Sequence, residues 1–129
     1  MNKNFAAVAA ILGAASVGLG AFGAHKLKEI FPPDALTIFE TGVRYQFYHV
    51  FALFTVSILF ERLKNTAIRW AGYFFVLGII FFSGSLYVIA FLKAKDLEIP
   101  TVLGIMTPIG GLFFIIGWLL VFWAVLKNK

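Results

Sequence analysis

The stretch VLGIMTPIGGLFFIIGWLLVFWAVL, residues 102–126, contains 25 consecutive residues without a charged side chain. An α-helix rises about 1.5 Å per residue, so about 20 apolar residues cross a hydrocarbon core about 30 Å thick. Three further apolar stretches of similar length cover residues 5–24, 43–60 and 68–92. The four stretches together predict an all-α membrane protein, with four transmembrane helices in a compact bundle.

The composition of the whole chain supports this prediction and excludes several kinds of site. Hydrophobic residues make up 61% of the 129 residues and charged residues only 13%, which is too little polar surface for a soluble domain. The chain has no cysteine, which excludes disulfides and thiolate sites. The net charge of +5 is spread between apolar stretches, so we expect contact with membrane lipids and no nucleic acid partner.

Short connections predict that residues 1–129 form a single domain. The polar turns around residues 61–67 and 93–101 contain fewer than a dozen residues, so spans two to four should be antiparallel neighbours. The first span has small residues like those of a secretory signal, but its long apolar run and the three spans after it favour a retained helix.

Residues 26–42 mix apolar and charged side chains, and they predict an amphipathic segment at the membrane interface. The pair Pro32-Pro33 ends any helix that continues from the first span, whereas Pro33 followed by Asp34 is typical of a first helical turn. We therefore expect helix two to begin near Pro33, to bend at Gly42 and to run on towards residue 63.

An even number of spans places both termini on the same side of the membrane. The positive-inside rule assigns the side with more Lys and Arg to the cytoplasm. The terminal side carries six such residues and the opposite side five, so the sequence favours cytoplasmic termini by a small margin: Lys3, Arg62, Lys64, Arg69, Lys127 and Lys129 against Lys26, Lys28, Arg44, Lys93 and Lys95.

Small residues in the first span predict close helix packing. Gly18 and Gly20 belong to two ladders of small residues at spacing four, and such faces let helix backbones approach in lipid. We expect this helix to be the most tightly packed of the bundle. The alternative is that the face contacts another protein or a second copy.

Spans three and four carry further packing and kink signals. Pro108 predicts a kink, and Gly110 and Gly111 leave room for a neighbour. In span three Gly84 lies in a predicted bend between two serines, whose hydroxyls can bond their own helix backbone.

The stretch ETGVRYQFYHVF, residues 40–51, places a polar stripe on the second helix. Glu40 and Arg44 have the spacing of an ion pair, and Gln46 points to the far side. If hydrocarbon begins near residue 43, His49 lies roughly 9 Å inside and needs a hydrogen-bond partner, such as Tyr45. The candidate polar cluster comprises His25, Glu40, Arg44, Tyr45, Gln46, Tyr48, His49, Ser83, Ser85 and Thr107.

Two interpretations of this cluster stay open, a structural network that locks the helices and a binding site. A haem or metal site on His25 and His49 is disfavoured, because the two histidines differ in depth and no further ligands accompany them. No catalytic triad, phosphate-binding loop or carboxylate pair occurs, so we expect no metal, no cofactor and no enzymatic activity.

Four motifs occur in order along nearly the whole chain: GAFGAHKL, FETGVRYQFYHVFAL, FFSGSLY and TPIGGLFFIIGW. Together they resemble the membrane family called domain of unknown function 423. The resemblance implies a small, four-spanning protein of the bacterial inner membrane, and it implies no established activity, cofactor or substrate. The polar residues of spans two, three and four fall within these motifs.

These observations lead to three functional hypotheses. The first is a non-enzymatic bundle that self-associates as a homo-oligomer or assembles with a larger membrane complex. The second is a small transporter or channel with a polar site around His49, Tyr45 and the Ser, Thr and Gly positions of spans three and four. The third, an enzyme acting on lipid or quinone, is the weakest because no nucleophile with an oriented base can be named.

Overall fold

The computed structural model describes residues 1–128 and contains four long helices. We number them α1 (Lys3–Ile30), α2 (Pro33–Leu63), α3 (Thr66–Ala94) and α4 (Thr101–Lys127). Each is long and apolar enough to cross a membrane, and no strand occurs in the described part of the chain. The predicted fold class, all-α with four transmembrane helices, is therefore confirmed.

The break between α1 and α2 follows from the double proline. Phe31 and Pro32 have extended backbone conformations, and Pro33 takes the first helical position, where a missing N–H costs nothing. Helix α2 then continues without interruption to Leu63, as the sequence predicts. Its length means that the second span includes most of the segment expected at the interface.

The predicted interfacial segment, residues 26–42, is divided between the end of α1 and the start of α2. It packs against the end of α3 through a salt bridge of 3.1 Å between Lys93 Nζ and Asp34 Oδ2. The rings of Phe31 and Phe91 meet edge to face, with centroids 5.0 Å apart. The segment is therefore part of the bundle as well as amphipathic.

Hydrogen bonds place the chain termini at the same end of the bundle. The backbone N–H of Asn2 donates to the carbonyl of Ser57 over 2.8 Å, which brings the start of α1 beside the end of α2. Asn65, in the turn between α2 and α3, donates to the carbonyl of Ala124 over 3.1 Å. The end of α4 therefore lies at this same end.

Each helix packs mainly on the next one along the chain. α1 packs on α2, α2 on α3, and α3 on α4, whereas α1 has no comparable contact with α4. The main apolar core draws residues from all four helices, and its fully buried side chains include Leu53, Val56, Ile68 and Phe75. This order leaves α1 and α4 at the edges of the bundle.

Two short stretches are π-helical: Gly23–Leu27 in α1 and Ile79–Ser83 in α3. A π turn holds one residue more than an α turn, and such turns are frequent at functional sites. Neither stretch was predicted from the sequence. The second ends at Ser83, where we expected a bend.

The expectation that α1 is the most tightly packed helix is wrong. Only 17% of the residues in its most apolar part are buried, against 39% in α2. A methyl group added at Gly18 would meet no heavy atom within 4 Å, and Gly84 in α3 is equally open, so neither is a packing glycine of the bundle. α1 is less buried because it lies at an edge of the bundle and only one of its faces meets a neighbour. Gly20, which lies near Val43 of α2, belongs to that face.

Other predicted glycines do lie at close helix contacts. A methyl group at Gly42 would come within 2.8 Å of the Tyr87 ring, so this residue, inside an uninterrupted helix, has a packing role. A methyl group at Gly110 would collide with the backbone of Phe82, whereas Gly111 leaves 3.8 Å to the same residue's ring. The backbones of α3 and α4 are therefore close together at Gly110.

Candidate functional site

Gln46 connects three helices from the middle of α2. Its side chain is only 3% exposed, and its Nε2 donates to the carbonyl of Leu12 in α1 over 3.1 Å. The hydroxyl of Tyr87 in α3 donates to Gln46 Oε1 over 2.6 Å. In hydrocarbon no water competes for these groups, so the two bonds fix the register of α1, α2 and α3.

Two serines of α3 extend this bonding to α2 and α4. Ser83 Oγ donates to the carbonyl of Gly42 over 2.7 Å, across the helix interface. Ser85 Oγ lies 2.7 Å from Thr107 Oγ1 and also bonds its own helix at Phe82. The sequence indicated that these hydroxyls can bond their own helix, and in the structure Ser83 and Ser85 also bond neighbouring helices.

Every buried side-chain nitrogen and oxygen of residues 1–128 has a hydrogen-bond partner. A buried polar group without a partner is costly in hydrocarbon, and the contacts of Gln46, Ser83, Ser85 and Thr107 avoid that cost. We call these four side chains the interhelical polar set. Their geometry supports the structural interpretation for this part of the predicted cluster.

The side chain of His49 extends from α2 towards α4 and is buried, and both of its ring nitrogens form hydrogen bonds. Trp118 Nε1 lies 3.2 Å from His49 Nε2, and since an indole N–H can only donate, Nε2 accepts. The other nitrogen, Nδ1, lies 2.7 Å from the backbone carbonyl of Tyr45 and therefore carries the proton. His49 is thus held as a neutral imidazole, stacked on Phe114 with ring planes 5° apart.

A groove of 830 Å³ lies beside this histidine, between α2, α3 and α4. We call it the aromatic groove. Tyr45, Tyr48 and His49 line it from α2, Phe82 lines it from α3, and α4 contributes residues between 108 and 118. Its volume falls within the range of small-molecule sites.

The groove opens sideways, towards the region that lipid occupies. Tyr48 on one rim is 54% exposed and Ile115 on the other is 59% exposed. No Lys, Arg, Asp or Glu lines the groove. It is therefore a neutral, aromatic-walled recess that a molecule can enter from the bilayer.

The groove lies near the middle of the membrane-spanning helices. The midpoints of α2, α3 and α4 are residues 48, 80 and 114. Tyr45, Phe82 and Phe114 are each within three residues of a midpoint, or about 5 Å along the helix. His49 lies one residue from the midpoint of α2.

Other members of the predicted cluster do not join the groove. Glu40 and Arg44 are exposed, and no ion pair forms between them in the described residues. Their spacing permits a pair, but two exposed charged side chains gain little from holding one geometry. His25 is exposed in the first π-helical turn, apart from the groove, and residues 1–128 contain no cluster of three His, Asp or Glu able to hold a metal ion.

Sequence reasoning missed the aromatic side chains that surround His49. Trp118 is its hydrogen-bond donor, Phe114 its stacking partner, and Phe82 lies 4.7 Å from the Tyr45 ring by centroid distance. One signal was present, because the indole N–H of a tryptophan within an apolar span needs an acceptor. That acceptor is 69 residues away in sequence.

Four apolar helices joined by buried polar contacts define a multi-pass integral membrane protein. The chain belongs to the family described as "Protein of unknown function (DUF423)", whose model matches residues 19–111. This family is the one that the four sequence motifs resemble.

The chain is similar to named membrane proteins along nearly its whole length. It is 39% identical over 126 residues to "UPF0382 membrane protein YwdK" of Bacillus subtilis, covering 97% of this chain and 98% of the relative. It is 33% identical over 121 residues to "UPF0382 inner membrane protein YgdD" of Escherichia coli, covering 94% of this chain and 88% of the relative. No solved structure matches this chain.

Proposed function

We propose that this protein is a non-enzymatic helix bundle that self-associates in the membrane through the outer face of α1. The observation that carries the proposal is a stripe of small, exposed residues on an edge helix. Five positions recur at spacings of three and four and therefore share one face: Ala7, Ala10, Ala14, Gly18 and Ala21. We call this stripe the α1 outer face.

The physics of helix association in lipid favours a second copy as its occupant. Apolar side chains gain nothing by leaving lipid for protein, so association depends on close packing, which small residues allow. The interhelical polar set bonds within the bundle, and α1 packs chiefly on α2 alone. In a dimer with two-fold symmetry, the α1 outer face of one copy would pack against the α1 outer face of the other.

The bonding of His49 supports a role without catalysis. Its proton goes to a backbone carbonyl, and its second nitrogen accepts from an indole N–H. A general base needs a free nitrogen within reach of a nucleophile or substrate proton. Both nitrogens of His49 instead hold the ring in place.

The experiment compares two glycines whose added side chains point into open space. Neither Gly18 in α1 nor Gly104 in α4 has a heavy atom within 4 Å of an added methyl group, so both Gly18→Leu and Gly104→Leu should leave the bundle folded. Native mass determination after gentle extraction should show a dimer for the wild type and for Gly104→Leu, and mostly monomer for Gly18→Leu. A monomeric wild type, or a dimer that persists in Gly18→Leu, would overturn the proposal.

We also propose that the protein resides in the inner membrane with both termini in the cytoplasm. Support comes from the six Lys and Arg residues at the terminal end against five at the other. A C-terminal fusion to a fluorescent protein that matures only in the cytoplasm should fluoresce. A C-terminal alkaline phosphatase fusion that is active instead would place the termini outside.

A small transporter is the second candidate, and the observation in its favour is the aromatic groove. His49 and Tyr45 line the groove near the midpoint of α2, and polar groups deep in a membrane commonly mark a transport path. Ser83, Ser85 and Thr107, which the transporter hypothesis included, do not line it. Proton or solute flux in reconstituted vesicles that is lost in a folded His49→Ala variant would favour transport, and no flux from either form would eliminate it.

A further inference from the structure

We propose that the aromatic groove binds a neutral, membrane-dissolved molecule that combines a flat, oxygen-bearing ring with a hydrocarbon tail, the chemical class of the prenylated quinones. The proposal concerns binding alone and includes no electron transfer. It does not depend on association through the α1 outer face, which lies on a different helix.

Access to the groove selects for a lipid-soluble occupant without charge. Its open side faces the hydrocarbon, near the midpoints of three helices. A charged headgroup at this depth is costly without a counter-ion, and the lining provides no charged residue. A phospholipid headgroup is therefore a poor match for the groove.

The walls of the groove select for a flat ring. The Tyr45 ring packs against Phe82, with centroids 4.7 Å apart, and His49 and Phe114 form a parallel stack beside it. Rings pack well on such surfaces in offset or edge-to-face arrangements. The volume of 830 Å³ accommodates a ring together with the beginning of a tail.

Two tyrosine hydroxyls supply the polar part of the recognition. The hydroxyls of Tyr45 and Tyr48 have no hydrogen-bond partner among residues 1–128, whereas the hydroxyl of Tyr87 in α3 donates to Gln46. Near mid-membrane there is no water to satisfy a phenol, and an unpaired hydroxyl there costs free energy. A ring carbonyl oxygen would accept from these hydroxyls, which a plain acyl chain would not do.

Trp118 allows binding to be measured directly, because it lines the groove and quinones quench indole fluorescence. Trp70→Phe and Trp123→Phe leave it as the single tryptophan, and neither replaced residue lines the groove. The protein is reconstituted in nanodiscs and titrated with decylubiquinone. We expect the quenching to saturate. Decylbenzene, which has the ring and the tail but no oxygen, should compete with decylubiquinone with an apparent affinity at least about tenfold weaker.

A matched set of tyrosine variants tests the role of the hydroxyls. Tyr45→Phe combined with Tyr48→Phe keeps both rings and should weaken decylubiquinone binding about tenfold, as expected when hydrogen bonds are lost. Tyr73→Phe is the control, because Tyr73 is an exposed tyrosine of α3 that does not line the groove. It should leave binding unchanged.

Three results would overturn the proposal. Quenching that rises linearly without saturation would mean partition into lipid. Competition by decylbenzene as strong as that by decylubiquinone would mean that the groove does not recognise the ring oxygens. The same conclusion would follow if the Tyr45→Phe/Tyr48→Phe double variant bound decylubiquinone as tightly as Tyr73→Phe. Thermal unfolding of each variant confirms that the protein tested is folded, and the Gly18→Leu result for self-association leaves all of these outcomes unaffected.

Discussion

The two sides of α2 differ in how completely the fold provides hydrogen-bond partners for their polar side chains. On the side that faces α1 and α3, Gln46 bonds to both neighbours, and the carbonyl of Gly42 accepts from Ser83. On the side that faces α4, both ring nitrogens of His49 have partners, but the hydroxyls of Tyr45 and Tyr48 have none within the described chain. In a membrane, the role of a polar side chain thus depends on whether the fold provides its partner, and the residue type alone does not decide it.

The largest expected effect comes from a change at the close contact between Gly110 of α4 and Phe82 of α3. Gly110→Ala would place a methyl group against the backbone of Phe82, which cannot rotate away, and we expect a loss of about 3 kcal/mol in the free energy of unfolding. Gly104→Ala is the control, because its methyl group points into open space and alanine is the better helix former. Unfolding in a fixed detergent measures both, and equal midpoints would mean that the two backbones are further apart.

On the bonded side of α2, Gln46→Leu should cost about 2 kcal/mol. The change removes two interhelical hydrogen bonds and leaves the hydroxyl of Tyr87 without its acceptor. Combining it with Tyr87→Phe should cost less than the sum of the two single changes, because both remove the same bond. Strict additivity in this double-mutant cycle would contradict the contact.

A smaller effect distinguishes a bond between helices from a bond within one helix. Ser83→Ala removes the bond to Gly42 and should cost about 0.6 kcal/mol, the typical value for such bonds in membranes. Ser57→Ala is the matched control, since Ser57 is also buried but its hydroxyl bonds only the carbonyl of Phe54 in its own helix. Thermal midpoints should therefore fall for Ser83→Ala and stay close to the wild type for Ser57→Ala.

The smallest expected effect belongs to the open side of α2. Tyr45→Phe and Tyr48→Phe should each change the free energy of unfolding of the ligand-free protein by less than about 0.5 kcal/mol, because neither hydroxyl bonds to the described chain. Guanidinium or SDS titration of the purified variants checks this. A loss comparable to that of Gln46→Leu would show that these hydroxyls have a structural role, and the contrast between the two sides would disappear.

Features that depend on local chemistry could be predicted from the sequence. The length of the apolar stretches determines the four helices, and Pro33 determines where α2 begins. Gln46 was correctly placed on the side of α2 away from the polar stripe, because helical periodicity alone decides that question.

Features that depend on helix arrangement could not be predicted in this way. Gly18 and Gly110 both lie in small-residue motifs, yet one faces open space and the other the backbone of Phe82. The difference arises because Gly18 lies on the outward face of α1, whereas Gly110 lies on the face of α4 that meets α3, and no single-helix pattern reveals which face meets a neighbour. The contact between His49 and Trp118 likewise joins α2 to α4.

The π-helical turn Ile79–Ser83 divides α3 into two halves whose faces are offset by one residue. In an α-helix each residue turns the chain by about 100°, so removal of one residue from this turn would rotate one half relative to the other by that angle. Phe75 would remain aligned with the core, while Ser85 and Tyr87 would swing away from Thr107 and Gln46. The number of residues in this turn therefore determines which side chains of α3 face α2 and α4. A chain one residue shorter there would keep its hydropathy profile but lose these interhelical hydrogen bonds.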